Sequence, residues 1–286
     1  MKENVKIIEC PRDAMQGLHD FIPTEVKANY INQLIECGFD SIDFGSFVSP
    51  KAIPQMRDTA QVLSHLKNVE KTKLLAIIAN ERGAEDAVQF DEISYLGFPF
   101  SVSEQFQLRN TNSTIADAVK RVENIKALAD RAGKKLVVYL SMGFGNPYGE
   151  HWDAEIVFNW SQRLYSELGI NILAVSDTIG TASIEDVNYL YQHLIPSLPK
   201  VEFGAHLHTL PHNARNLVQA AYESGCRRFD GAIKGFGGCP MAKDDLTGNM
   251  PTELMVEWMV ENNIETGINL NEFQAAQQLA LQVFPL

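Results

Sequence analysis

The chain has 286 residues, 45% hydrophobic and 21% charged, which is ordinary for a soluble globular protein and ample for a sizeable core. With 24 Lys and Arg against 36 Asp and Glu, the formal charge of −12 argues against a general nucleic-acid or anionic-membrane surface. No apolar run approaches the roughly 18 residues of a membrane span. The four cysteines are scattered, with no Cys-x-x-Cys pair, and read as reduced thiols of a cytoplasmic protein.

Along the chain, strand-like runs alternate with helix-like segments. The first strand, residues 5–10, begins within about five residues of the start and leaves little room for a targeting peptide. A helix is expected over 24–36. A strand at 41–46 precedes a Pro-containing loop and a helix at 55–66; a strand at 73–80 precedes a short helix at 84–89. The strand at 92–100 leads to a long amphipathic helix at 115–131, which Thr114 can cap. Strands at 136–142, 172–177, 201–208 and 229–234 are followed by helices at 153–167, 184–193, 212–223 and 252–261. One further amphipathic helix, 270–281, is extra. Strands rich in Val, Ile and Leu that alternate with helices imply a parallel sheet. Eight of them imply a TIM (β/α)8 barrel with an additional C-terminal helix, one domain over residues 1–286. Neither a Gly-x-Gly-x-x-Gly fingerprint nor a P-loop is present, which counts against a nucleotide-binding sheet.

In such a barrel the active site lies at the C-terminal strand ends. His206 and His208 sit two apart on one strand, so both imidazoles share a face. The other strand ends contribute Arg12, Asp13 and Gln16, then Asp43 and Ser46, then Asp177, the loop Gly235–Pro240, and Asn249. A carboxylate, two imidazoles and a carboxamide oxygen suit a divalent metal with positions left open. With no thiolate the set favours Mg²⁺ or Mn²⁺, zinc remaining possible. Taken singly, Asn249 also reads as a helix cap, and Cys239 as a small buried filler. Cys10, Cys37 and Cys226 lie on apolar elements and read as core. His19, His65, His151 and His193 read as surface.

These motifs resemble the 3-hydroxy-3-methylglutaryl-CoA lyase family. The matching stretches run through nearly the whole chain: Pro11-Arg12-Asp13 with Gln16, Ser46-Phe47-Val48-Ser49-Pro50-Lys51, Pro54-Gln55-Met56, Asn146-Pro147-Tyr148, Asp177-Thr178-Ile179-Gly180, His206-x-His208, and Gly235-x-Gly-Gly-Cys239-Pro240. The resemblance implies a metal held by Asp13, His206, His208 and Asn249, and retro-aldol cleavage of an acyl-CoA to acetyl-CoA and acetoacetate. It also implies Arg12 as the charge facing the developing enolate, Cys239 as proton donor to the departing carbanion, and a homodimer. Gln16, Asp43, Ser46 and Asp177 are expected to contact substrate or to orient the ligands. Three features depart from the family pattern. Ala14 replaces a Gly, Asp43 replaces a Glu, and Thr209-Leu210-Pro211-His212 follows the His pair where the family has an acid or amide and then Thr-Tyr-Gly. Thr209 offers no carboxylate, and Pro211 is expected to stiffen a loop lining the acyl pocket. Open alternatives are a Claisen-type synthase or 2-oxo acid aldolase of the same barrel superfamily, and a metal-binding barrel without turnover.

Overall fold

The computed structural model describes residues 4–238 and 247–284. Its eight strands are β1 (Lys6–Glu9), β2 (Ser41–Ser46), β3 (Lys73–Ile77), β4 (Ile93–Ser101), β5 (Lys135–Ser141), β6 (Ile172–Asp177), β7 (Glu202–Leu207) and β8 (Arg228–Gly231). They close in chain order into a barrel of parallel neighbours, β8 returning to β1. The helices are α1 (Pro11–Gln16), α2 (Thr24–Glu36), α3 (Thr59–Ser64), α4 (Glu81–Ala87), α5 (Glu104–Thr111), α6 (Ile115–Arg131), α7 (Ala154–Leu168), α8 (Ile184–Ser197), α9 (Pro211–Glu223), α10 (Thr252–Glu261) and α11 (Leu270–Val283).

Local chemistry starts and stops these helices. The side chains of Thr114 and Asp153 accept the amides of Asp117 and Ile156 at the entries to α6 and α7, and Ser183 with Asp186 forms a capping box on α8. Each strand sends alternate side chains outward to the helices and inward to the barrel axis. The outward set joins the helices in one large apolar core. On the inward side, Leu75, Ile77, Tyr95, Val137, Tyr139, Ile172 and Ala174 form a separate cluster confined to β3–β6. Gly45 lets α3 approach β2, since a methyl there would meet Thr59 Cγ2 at 2.5 Å.

Two short helices depart from the sequence expectation. The segment after β1, to which the sequence assigned no element, is the helix α1, with Pro11 at its first position, where the missing N–H costs nothing. In the gap left between residues 100 and 115 stands α5, capped by Ser103, whose side chain accepts the Phe106 amide. The extra helix α11 exists and is spent within the chain: Phe273 and Phe284 pack edge-on against Phe39 and Tyr30, closing the barrel's outer layer beside α2. Pro211 opens α9 at its first turn instead of stiffening a pocket loop. Among the described residues no helix is long and apolar enough to cross a membrane.

Candidate metal centre and active site

Arg12 and Asp13 emerge from β1 on the first turn of α1, both buried. The Arg12 guanidinium is fixed on three sides. Its Nε donates to Asp43 at 3.0 and 3.2 Å and its Nη2 to the same carboxylate, while Nη1 donates to Asp13 Oδ1 and Gln16 Oε1, each at 2.8 Å. This two-point fork between planar groups sets the direction of the guanidinium. Burial alone would depress the Arg12 pKa, but the charges of Asp43 and Asp13 hold it above the ordinary value. Burial pushes the Asp43 carboxyl up to about 6 against the pull of Arg12.

Asp13 shares its two oxygens among neighbours. Oδ1 accepts from Arg12 and from Gln16 Nε2 (2.7 Å), and Oδ2 accepts from Asn249 Nδ2 at 2.8 Å. Burial works to raise its pKa, yet Arg12 and the two imidazoles hold it below the usual carboxylate range. Asn249 spends its N–H groups on Asp13 and on the Phe236 carbonyl (2.8 Å), so its amide oxygen is the atom it can offer a cation. It is not the cap of α10, a position taken by Pro251; it pairs instead as a bridge with His208. Gly237 closes over this contact in a left-handed conformation (φ +89°), where a Cβ would meet Asp13 O at 2.7 Å and Asn249 Nδ2 at 2.8 Å.

The two imidazoles differ. His206 Nδ1 lies 3.2 Å from Asp230 Oδ2, and its ring meets Tyr139 edge-on at 5.4 Å. Burial lowers its pKa, but the bond to Asp230 and the charge of that residue, aided by Asp13, raise it overall. His208 is pushed down to about 4, first by burial and then by His206, and among the described residues its buried Nδ1 has no hydrogen-bond partner. One ligand atom each from Asp13, His206 and His208 lies within 4.8 Å of the others. A buried imidazole with a second imidazole and a carboxylate this close fits a divalent cation.

These groups border a cavity of about 220 Å³ at the C-terminal strand ends, with Arg12, Asp13, Gln16, His206 and His208 on its polar side. Val48, Ala52, Ile53, Ile77, Ala79 and Pro99 form an apolar wall, and α5 supplies Phe106, Asn110 and Thr111. Of the other expected site residues, Asp43, Ser46, Asp177 and Asn249 do not line it. The Ser46 hydroxyl donates to the Ile77 carbonyl and accepts the Val48 amide, 3.2 Å each, and so shapes the chain turn after β2. Asp177 accepts the amides of Thr181 (3.0 Å) and Ala182 (2.8 Å), with its carboxyl pushed up to about 6 by burial; it braces a loop and orients neither histidine. Thr178 of that loop does line the cavity, and its hydroxyl accepts the amide of Met142. Thr209 is buried, its amide donating to the Gly248 carbonyl, and neither it nor Pro211 lines the cavity. Cys239 lies outside the described residues. Cys10, Cys37 and Cys226 are buried and free, and His19, His65, His151 and His193 are exposed.

Sequence reasoning missed Asp230 and the wall made by α5. Both left a trace. Arg228 and Asp230 place charges at alternate positions of an otherwise apolar strand, and Ser103 stands just before an acidic residue, as caps do.

Together, barrel and site define a TIM-barrel protein with a buried Asp–His–His cluster, of a kind that could hold a cation, at the C-terminal end of its strands. The HMGL-like family model matches residues 4–280, and the chain belongs to that family. It is 32% identical to a hydroxymethylglutaryl-CoA lyase of Bacillus subtilis over 93% of this chain and 88% of the relative. It is 30% identical to the mitochondrial hydroxymethylglutaryl-CoA lyase of Rattus norvegicus over 99% of this chain and 86% of that protein. Among solved structures, an HMG-CoA lyase from Acinetobacter baumannii in complex with coenzyme A and 3-methylmalate superposes with a TM-score of 0.90 at 31% identity, covering 98% of this chain and 91% of that one. The Bacillus subtilis HMG-CoA lyase superposes with a TM-score of 0.91 at 31% identity, covering 99% and 95%.

Proposed function

We propose that this chain is a carbon–carbon lyase that cleaves 3-hydroxy-3-methylglutaryl-CoA, or a closely related 3-hydroxyacyl-CoA, to acetyl-CoA and acetoacetate. The observation that carries this reading is the Arg12 guanidinium, locked by Asp43 beside the Asp13–His206–His208 cluster at the edge of one cavity. Membership of the HMGL-like family supports it.

The chemistry breaks the C–C bond next to a tertiary alcohol. The hydroxyl proton must leave, its carbon becomes a ketone, and the bond electrons pass into the enolate of the thioester. Mg²⁺ or Mn²⁺, with Zn²⁺ as the alternative, would be held by Asp13, His206, His208 and Asn249 and would supply Lewis acidity toward the substrate alcohol. Arg12 presents a fixed positive charge to the oxygen on which enolate charge develops; because Asp43 already orients it, no reorganisation is needed during the reaction. Gln16 holds both Arg12 and Asp13 in place. The apolar wall from Val48 to Pro99 limits water around the carbanion, which must be protonated once, at carbon. On the family resemblance, Cys239 is assigned that proton; a thiol of pKa about 8.5 can deliver one near neutrality.

The test is direct: metal-loaded protein is incubated with the CoA thioester and acetoacetate is measured. Absence of product with either Mg²⁺ or Mn²⁺ removes this reading. Cys239→Ala is expected to keep metal binding and lose turnover. A homodimer rests on the family resemblance and is checked by light scattering. A cytoplasmic setting is proposed from the unpaired thiols of Cys10, Cys37 and Cys226.

A further inference from the structure

His206 stands on β7 in register with Ser176 of β6 on one side and Asp230 of β8 on the other. The Ser176 hydroxyl turns back to the Ala174 carbonyl at 3.2 Å. Among the described residues, Asp230 is therefore the one hydrogen-bond partner of the His206 ring, with its side chain fully buried. Cys10 lies in the same group of buried atoms, within 4.8 Å of His206 and Asp230. Burial and the nearby carboxylates hold its thiol well above the usual range, so it remains a neutral neighbour. The Tyr139 ring closes the remaining side edge-on.

We propose that Asp230 is the positioning residue of the metal centre: it accepts Nδ1–H of His206, fixes the tautomer, and turns Nε2 toward Asp13 and His208. An imidazole carries one proton when neutral, and a carboxylate accepting at Nδ1 keeps that proton there. The opposite nitrogen then presents a lone pair to the cluster. Asp43 and Asp177 do not share this task, since Asp43 is taken up by Arg12 and Asp177 by backbone amides. The proposal rests on the metal-centre reading above and adds the residue that aims one of its ligands.

Two measurements separate the proposal from that reading. The first is ¹⁵N-resolved NMR of the His206 ring in metal-free wild-type protein at alkaline pH, where the imidazole is neutral. The expected signature is a protonated Nδ1 and a bare Nε2, changing to a mixture of tautomers in Asp230→Ala. A wild-type ring protonated at Nε2, or a tautomer unchanged by the substitution, overturns the proposal. The second is calorimetric titration with Mn²⁺. Asp230→Ala should lose affinity by roughly 10–100-fold, the usual cost of removing a ligand's supporting partner. Asp230→Asn, which keeps an acceptor oxygen in place, should recover part of that loss. Wild-type affinity in a folded Asp230→Ala overturns the positioning role. If wild type binds no divalent cation, the metal reading fails, and the tautomer still decides what Asp230 does. If Asp230→Ala does not fold, the wild-type tautomer and the Asn variant carry the decision.

Discussion

The two halves of the barrel interior are built on opposite plans. From β3 to β6 the inward side chains are Leu75, Ile77, Tyr95, Val137, Tyr139, Ile172 and Ala174, an apolar cluster. From β7 through β8 and β1 to β2, the interior instead holds His206, Arg228, Asp230 and Asp43, all buried or nearly so. Asp43 and Asp230 each hold a side chain that lines the cavity, Arg12 in one case and His206 in the other. Concentrating charge on one side lets each ion find an opposite or a donor, which is what makes a buried charge tolerable. The apolar side supplies volume and dryness. Function and stability should therefore separate along this divide.

The largest expected effect breaks the polar half: His206→Ala should abolish calorimetrically detectable Mn²⁺ binding, and wild-type affinity in that variant would remove His206 from the shell. Next, Arg12→Lys keeps a positive charge near Asp43 but cannot fork to it; kcat should fall roughly 10²–10³-fold with Mn²⁺ affinity retained. Loss of metal binding in that variant would assign Arg12 to the shell's architecture instead. On the apolar half, Leu75→Ala should cost about 2–5 kcal/mol in denaturant unfolding and leave metal affinity intact. An equal loss in both readouts would erase the distinction between the halves.

The smallest effect lies on the outer face of the polar half. Glu9 points out of β1 and accepts the Ile233 amide (2.8 Å) and the Thr252 hydroxyl (2.6 Å). Burial raises its carboxyl from the ordinary 4.5 to about 8 despite these donors. Across that window the folded chain keeps a proton that the unfolded chain has released, so Glu9's contribution to stability falls as pH rises. Glu9→Gln should flatten that slope in thermal melts recorded across the same range; an undiminished slope would locate the titration elsewhere.

The sequence and the folded chain agree most closely where periodicity is strong. All eight strands and the long helices α2, α6, α7 and α9 were legible because burial imposes a pattern over many residues. The short helices α1 and α5 were not, since six to eight residues carry too little periodicity and their caps look like loop residues. That Arg12, Asp13, His206 and His208 would come together was readable from spacing and from the place of the strand ends. Ser46 and Asp177 were read as contacts of substrate or ligands, but a hydroxyl or carboxylate at a strand end can equally satisfy loop amides, and here it does. Asp230 was missed for the converse reason. Its importance depends on the register between β7 and β8, a relation between neighbours that no single strand displays.

The hydrogen bond from Asn249 to Asp13 joins residues 236 positions apart. During synthesis Asp13 leaves the ribosome long before Asn249, and the two can meet only after every strand between them has been made. Closing so long a span loses loop entropy that only the completed barrel recovers. Assembly of this corner of the cavity thus becomes a late event, available to a finished molecule and withheld from its fragments.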